Sequence, residues 1–218
     1  MKEIVRRTLT AVALGFLFWL ALIYLPPLYF SAILLFILSH ILIIEWRKLF
    51  PINKPSFWLL MPLYLLLPFS LLIALNHKPA YHDLLFLLFI LVSSFDTGSY
   101  IVGNIIGYHK IAPTISPGKS WEGALGGYIF ACIGLFVVLR ELDGSIYLPT
   151  IFLFSLIICT LSLAGDLFES FLKRRAQVKD TGTILPGHGG FLDRFDGILF
   201  AVIFFYIFKD CIVYLFFA

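Results

Sequence analysis

The chain has 218 residues, 61% of them hydrophobic and 13% charged, with a mean hydropathy of +0.98. This composition belongs to integral membrane proteins and leaves no room for a separate soluble domain. A net charge of +3 is too small to point to nucleic acid as a partner.

The chain opens with MKEIVRRTLTAVALGFLFWLALIYL, basic residues followed by an apolar run. No small-x-small cleavage site follows, so the run reads as a retained first span and not a removed signal. A helical span needs about 20 mostly apolar residues, because lipid leaves backbone groups no outside partner. The apolar runs predict seven spans, at about 8–25, 28–46, 57–75, 82–103, 121–140, 148–168 and 195–217. The expected fold is therefore an all-α, polytopic membrane helix bundle. Pro26 and Pro27 separate the first pair and Pro51 and Pro55 the second, while Pro62 and Pro68 are expected to kink the third span. Residues 1–80 read as N-terminal transmembrane helices, and 81–218 as the region that carries the polar loops 104–120 and 169–194. No internal repeat is visible. Cys132, Cys159 and Cys211 stand singly in apolar segments and read as small hydrophobes.

Basic residues set the orientation. With the N-terminus inside, thirteen of the sixteen Lys and Arg fall on the cytoplasmic side and three, Lys78, Arg140 and Lys209, on the other. This places both polar loops in the cytosol. Lys209 and Asp210 interrupt the last span, which either snorkels them to the far interface or is broken there.

Charge is concentrated in residues 165–196, GDLFESFLKRRAQVKDTGTILPGHGGFLDRFD, which hold ten of the 29 charged residues. Helical spacing puts Asp166, Glu169, Ser170 and Lys173 on one face, at i, i+3, i+4 and i+7. Asp193 and Asp196 are also three apart and open the last span. Two helix ends carrying acids suit a divalent cation such as Mg²⁺, which keeps water and substrate phosphates in its shell. An interfacial salt-bridge cluster with Arg174, Arg175 and Arg194 accounts for the spacing equally well. Asp96, in LVSSFDTGSYIVG, reads as a second buried acid, with a polar packing seam as the alternative. Glu45 and Asp83 lie near span ends and read as interfacial.

The loop GYHKIAPTISPGKSWEG contains Gly118-Lys119-Ser120 but is not a P-loop: Pro113 stands where that pattern needs its first glycine, and no strand precedes it. What remains is a lysine in a Pro/Gly turn before a helix N-terminus, where backbone N–H groups favour phosphate. An ordinary basic loop is the alternative. His188 lies in GHGG, which allows close backbone approach.

Together these segments resemble a known family. The run Ser170, Lys173, Arg174, Lys179, Asp180, Gly182, Leu185, Pro186, His188, Gly189, Gly190, Asp193, Arg194, Asp196 resembles the signature of phosphatidate cytidylyltransferases, or CDP-diacylglycerol synthases. DTGSYIVGNIIG at 96–107 and ISPGKSWEG at 115–123 resemble that family's other polar segments, in the same order. The likeness covers about 96–197, and residues 1–80 match only as hydrophobic spans. Family members are usually longer, with extra N-terminal helices.

The resemblance implies an enzyme that joins CTP to phosphatidate, releasing pyrophosphate, with Mg²⁺ and a second cation. It implies Asp166 and Asp193 as principal metal ligands, with Asp196 and Asp96 as weaker candidates. Asp166, Asp193, Lys173, Asp180 and His188 are the catalytic candidates. Ser116, Lys119, Ser170, Arg174, Lys179 and Arg194 are the substrate-binding candidates, the basic ones for phosphate. A homodimer in a bacterial inner membrane, with its site facing the cytoplasm, is also implied. Competing readings are a CTP-dependent polyprenol kinase, a cytidylyltransferase for another lipid, a CDP-alcohol phosphotransferase and a proton-coupled carrier. A carrier places charge at the midplane between repeats, whereas here it gathers on one side.

Overall fold

The computed structural model describes residues 15–182, 184 and 189–217. Helices dominate: α1 (Gly15–Tyr24), α2 (Pro27–Leu49), α3 (Pro55–Asn76), α4 (Pro79–Ile106), α5 (Trp121–Glu141), α6 (Leu148–Arg175), α7 (Leu192–Ile207) and α8 (Lys209–Phe217). Three of them begin on proline, at Pro27, Pro55 and Pro79. Proline is well suited there, since a first-turn N–H has no intrahelical partner and the ring fixes a helical φ.

Among the described residues, five helices, α2 to α6, are long and apolar enough to cross a membrane, and α7 with α8 makes a sixth if the bent pair is one span. The predicted seven are thus not all present as straight spans. The described part of α1 is short, and residues 8–14 of the predicted first span lie outside the described residues. The last span is broken after Ile207, with an 80° bend between α7 and α8. Lys209 and Asp210 sit at the break. The Tyr81 hydroxyl donates to Asp210 Oδ1, and the Lys209 ammonium lies 4.9 Å from the Tyr206 ring centroid. Large apolar side chains such as Phe36, Leu59, Leu63 and Ile105 are exposed, as expected of surfaces solvated by lipid.

The chain divides into two compact units. One comprises residues 1–77 and 172–195, the other 78–171 and 196–218. In the first, α2 and α3 run antiparallel. Asn76, at the end of α3, donates to Pro27 O at 2.7 Å and to Ser31 Oγ at 2.9 Å, at the start of α2. Trp46 is fully buried, packs at tilted angles against Phe50, Phe57 and Tyr64 and donates its indole N–H to Phe57 O. Both helices contain a π turn, at Ile41–Glu45 and Pro62–Leu66. The second starts at the proline expected to disturb α3, which lacks the N–H that regular winding would use.

In the second unit α4 and α5 pack closely because glycines line the seam. A Cβ at Gly126 would stand 2.4 Å from Val102, and one at Gly127 2.5 Å from Phe95 O. Ser99 and Gly103 lie in this seam, against Gly127 and Gly123 respectively, so the small-residue packing alternative describes them well. Asp96 does not join it: it is exposed on α4.

Two predicted loop boundaries change. The 104–120 segment contains an antiparallel hairpin, β1 (Lys110–Ala112) with β2 (Ser116–Ser120), pairing Lys110 with Ser120 and Ala112 with Ser116. Helix α6 runs on to Arg175, seven residues past the predicted span end at 168. Glu, Leu, Lys and Arg are good helix formers, and 28 residues extend about 42 Å, well beyond a hydrocarbon core of about 30 Å. Helix α6 is therefore longer than a straight crossing of the hydrocarbon core requires.

Candidate active site

In the first unit the centre of the polar cluster is Asp193, in the first turn of α7, with its side chain 6% exposed. Its Oδ1 accepts from Lys173 Nζ at 2.7 Å. Its Oδ2 accepts from Gly190 N at 2.7 Å, Thr181 Oγ1 at 2.9 Å and Thr181 N at 3.1 Å. Two local features deliver these donors. At the end of α6 the Val178 N–H bonds Lys173 O and the Gln177 N–H bonds Arg174 O, a Schellman turn with Gln177 at φ 57°. This reverses the chain and brings Thr181 back towards Asp193. Gly189 has φ 83°, and a Cβ there would lie 2.4 Å from Asp193 Oδ2. Glycine thus meets both the backbone and the spatial demand at this turn.

Glu45, at the end of the π turn of α2, reaches the same segment. Its Oε1 accepts from Phe191 N and its Oε2 from Leu192 N, both at 2.8 Å. Thr181 Oγ1 lies 3.1 Å from Oε2, and His40 Nδ1 3.2 Å from Oε1. Glu45 is wholly buried. It is therefore no interfacial residue, as its place near a span end suggested, but part of the polar core of this unit.

In the second unit Lys119, on β2, forms an ion pair with Asp166 on α6, their side chains 20% and 26% exposed. Ser120 ends the strand and caps α5, accepting from Gly123 N at 3.1 Å. The Trp121 N–H bonds His109 O. The Trp121 and Gly123 amides of this first turn thus have partners within the chain. Tyr108, His109, Lys110, Trp121, Glu122 and Leu125 line an open depression beside this turn. Gly165 lets the backbone of α7 close on α6, since a Cβ there would stand 2.4 Å from Asp196 O. Gly197 does the same against Ser162. Asp196 is 8% exposed, and its Oδ1 accepts from Gly197 N at 2.8 Å. Glu169 and Ser170 are buried.

A family model described as the cytidylyltransferase family matches residues 8–212. The chain belongs to the cytidylyltransferase family. Its similarity to curated relatives runs through most of its length. It is 39% identical over 187 residues to the phosphatidate cytidylyltransferase of Haemophilus influenzae, covering 77% of this chain and 63% of that protein. It is 37% identical over 203 residues to the one from Rickettsia bellii, covering 88% and 85%. With the Bacillus subtilis protein the identity is 35% over 178 residues, covering 80% and 64%. The chain therefore spans a little under two thirds of the Haemophilus and Bacillus relatives and most of the Rickettsia one. The family match also takes in the N-terminal spans, which the sequence motifs alone left uncovered, and with them Glu45.

The predicted residues fall as follows. Asp193 and Lys173 meet in the first unit; Lys119 and Asp166 meet in the second. The face predicted on α6 is present: Glu169 and Ser170 are buried and Lys173 is 12% exposed, while Arg174 is exposed. Lys179, Asp180 and Arg194 are exposed, and Ser116 is half-buried. His188 lies outside the described residues. Asp96, read as buried, is exposed. Among the described residues no group of three or more His, Cys, Asp and Glu converges as a closed all-protein metal site would. Mg²⁺ does not need one, since it takes one or two carboxylates together with substrate phosphates. The donor chemistry fits a hard cation in that Asp166 and Asp193 offer carboxylate oxygens, each of which here faces a lysine ammonium. Glu45 and Thr181 are what motif reading missed. The threonine lay inside the signature run; the glutamate had no local signal beyond being an acid near a span end.

Proposed function

We propose that this chain transfers the cytidylyl group of CTP to phosphatidate, giving CDP-diacylglycerol and pyrophosphate. The observation that carries the reading is the pair of lysine–carboxylate contacts, Lys173–Asp193 and Lys119–Asp166, within a family whose relatives bear that name.

The chemistry needs charge management more than proton transfer. A phosphomonoester has its second pKa near 6, so the phosphatidate oxygen is already largely ionised at neutral pH. That oxygen attacks the α-phosphorus of CTP. A new P–O bond forms there as the bond to the β-phosphate oxygen breaks, and pyrophosphate leaves with the electron pair. The barrier lies in bringing one anion up to another, which fixed positive charges and in-line positioning lower. Lys119, Lys173, Arg174, Lys179 and Arg194 would hold the triphosphate and the lipid phosphate. Asp166 and Asp193 would hold Mg²⁺, with Asp196 and Asp96 as further candidates and a second cation as a further expectation. When bound, the cation supplies charge neutralisation and polarises the phosphoryl oxygens. Ser116, Ser170, Asp180 and His188 keep their places in the signature without an assigned step. The bias of basic residues supports a site on the cytoplasmic side, and the bacterial relatives support an inner-membrane setting, where CTP would arrive from water and phosphatidate from the bilayer.

The test is turnover by purified protein in detergent–phosphatidate micelles with CTP and Mg²⁺, following pyrophosphate and CDP-lipid together. The expected result is equal amounts of both products. Pyrophosphate without CDP-lipid, or no product from folded protein with any phospholipid tried, overturns the reading.

A further inference from the structure

We propose that Glu45 is a positioning residue for Asp193: it clamps the start of α7 and, through Thr181, sets the carboxylate that the transfer reaction uses. The proposal rests on the functional reading above only in giving Asp193 a role in catalysis.

A fully buried carboxylate is costly unless hydrogen bonds satisfy it. Glu45 meets that condition with three donors from the signature segment, Phe191 N, Leu192 N and the Thr181 hydroxyl, beside His40 Nδ1 at 3.2 Å on its own helix. The two amides belong to the N-terminal end of α7, where N–H groups lack intrahelical partners and negative charge is favoured. The acid that serves them comes from a residue 147 positions earlier in the chain. Glycines make room for it: a Cβ at Gly190 would lie 2.5 Å from the Glu45 carboxylate, and one at Gly182 3.0 Å from it. The segment is thus shaped around this side chain.

The same donors tie Glu45 to Asp193. Three successive amides are divided between the two acids, Gly190 N going to Asp193 and Phe191 N and Leu192 N to Glu45. The Thr181 hydroxyl stands 2.9 Å from Asp193 Oδ2 and 3.1 Å from Glu45 Oε2. A hydroxyl has one proton to donate, so the two carboxylates compete for it. A change at Glu45 is therefore felt at Asp193 through one peptide plane and one hydroxyl. The π turn at Ile41–Glu45 is the kind of local irregularity that recurs at functional sites.

The decisive variants are Thr181→Val, which keeps shape and removes the hydroxyl, Thr181→Ser, which restores it, and Glu45→Gln, whose amide N–H₂ must face one of the two backbone donors. Residues that orient a metal-binding acid typically change activity or metal affinity about 10- to 100-fold. Thr181→Val should lower kcat by such a factor and raise the Mg²⁺ requirement, with KM for phosphatidate unchanged. Thr181→Ser should recover most of the rate. Glu45→Gln should act in the same direction and more strongly; if it does not accumulate as folded protein, the threonine pair decides. A second readout needs no turnover: hydrogen exchange at the Gly190, Phe191 and Leu192 amides. It should be slow in wild type and slower with Mg²⁺, but fast and Mg²⁺-insensitive in Thr181→Val. Wild-type rate and exchange in Thr181→Val overturn the proposal, as does a loss that tracks melting temperature alone and that serine fails to repair. Should the wild type make no CDP-lipid, the functional reading fails while exchange at these amides still decides the clamp.

Discussion

Asp193 and Asp166 each face a lysine, yet they are held in different ways. Asp193 is almost fully enclosed and takes four hydrogen bonds, from Lys173, Gly190 N and both donors of Thr181. Asp166 is about a quarter exposed, and its ion pair is with a lysine on the strand of a short hairpin. The first acid is fixed in direction before any substrate arrives. The second can exchange its lysine for another cation by movement of one long side chain. One carboxylate supplies geometry and the other supplies adaptability, so removing them should have different consequences for stability even where activity falls alike.

The largest effect is expected from Asp193→Asn. Turnover should fall below detection, and the protein should also melt earlier. The new amide N–H₂ would confront donors at Thr181 or Gly190, and Lys173 would lose its counter-charge. Removing one partner of a buried pair costs about 3–5 kcal/mol, less here because Lys173 retains 12% exposure. Thermal denaturation in detergent beside the turnover assay checks both. Near-normal turnover would remove Asp193 from the site, and an unchanged melting temperature would mean that its enclosure contributes little.

Asp166→Asn should match that loss of turnover with far less change in stability, about 0–1 kcal/mol, as for solvent-accessible ion pairs. If it destabilises as much as Asp193→Asn, the contrast between the two acids is false. Lys119→Ala comes next. Losing one charge-assisted contact to phosphate is worth about 1.5–3 kcal/mol, which is about 10- to 100-fold in kcat/KM for CTP. Steady-state kinetics with each substrate varied will show whether it falls on CTP. An unchanged profile for both CTP and phosphatidate would take Lys119 out of phosphate binding.

The contrast also marks what the sequence could reveal. The face Asp166, Glu169, Ser170, Lys173 follows from helical spacing alone, and α7 opens at Leu192, just ahead of Asp193, as the i, i+3 acids implied. The extension of α6 to Arg175 was hidden because a change from apolar to charged residues resembles a span end, although Glu, Lys and Arg wind readily into helix. The hairpin at 110–120 depends on pairing between two short strands with an irregular register, which leaves little pattern in the residues themselves. Glu45 was out of reach for a different reason. Apart from His40, its partners lie 136 to 147 residues further on, and an acid near a span end looks the same whether it meets water or a buried cage of N–H groups. Asp96 shows the converse: a single acid in an apolar run suggested burial, and packing along the Ser99–Gly103 seam leaves it exposed.

The smallest effect sharpens the comparison from the side of the enclosed acid. Thr181 reaches Asp193 because the chain reverses after α6, and Gln177 stands at the pivot with φ 57°. An L-residue in that conformation sets Cβ against the following carbonyl, at a cost of about 1–2 kcal/mol. Glycine avoids this cost but loses more backbone freedom on folding, about 0.5–1 kcal/mol. Gln177→Gly should therefore stabilise the protein by up to about 1 kcal/mol, read as a small rise in melting temperature with kcat unaltered, since the side chain is exposed and is not among the candidate site residues. The sign of the shift is what matters. A rise means that the turn is already formed in its strained geometry and that Thr181 is delivered by local backbone structure. A fall means that glycine has loosened the turn, so that the contacts of Thr181 with Glu45 and Asp193 hold the turn in place and not the reverse.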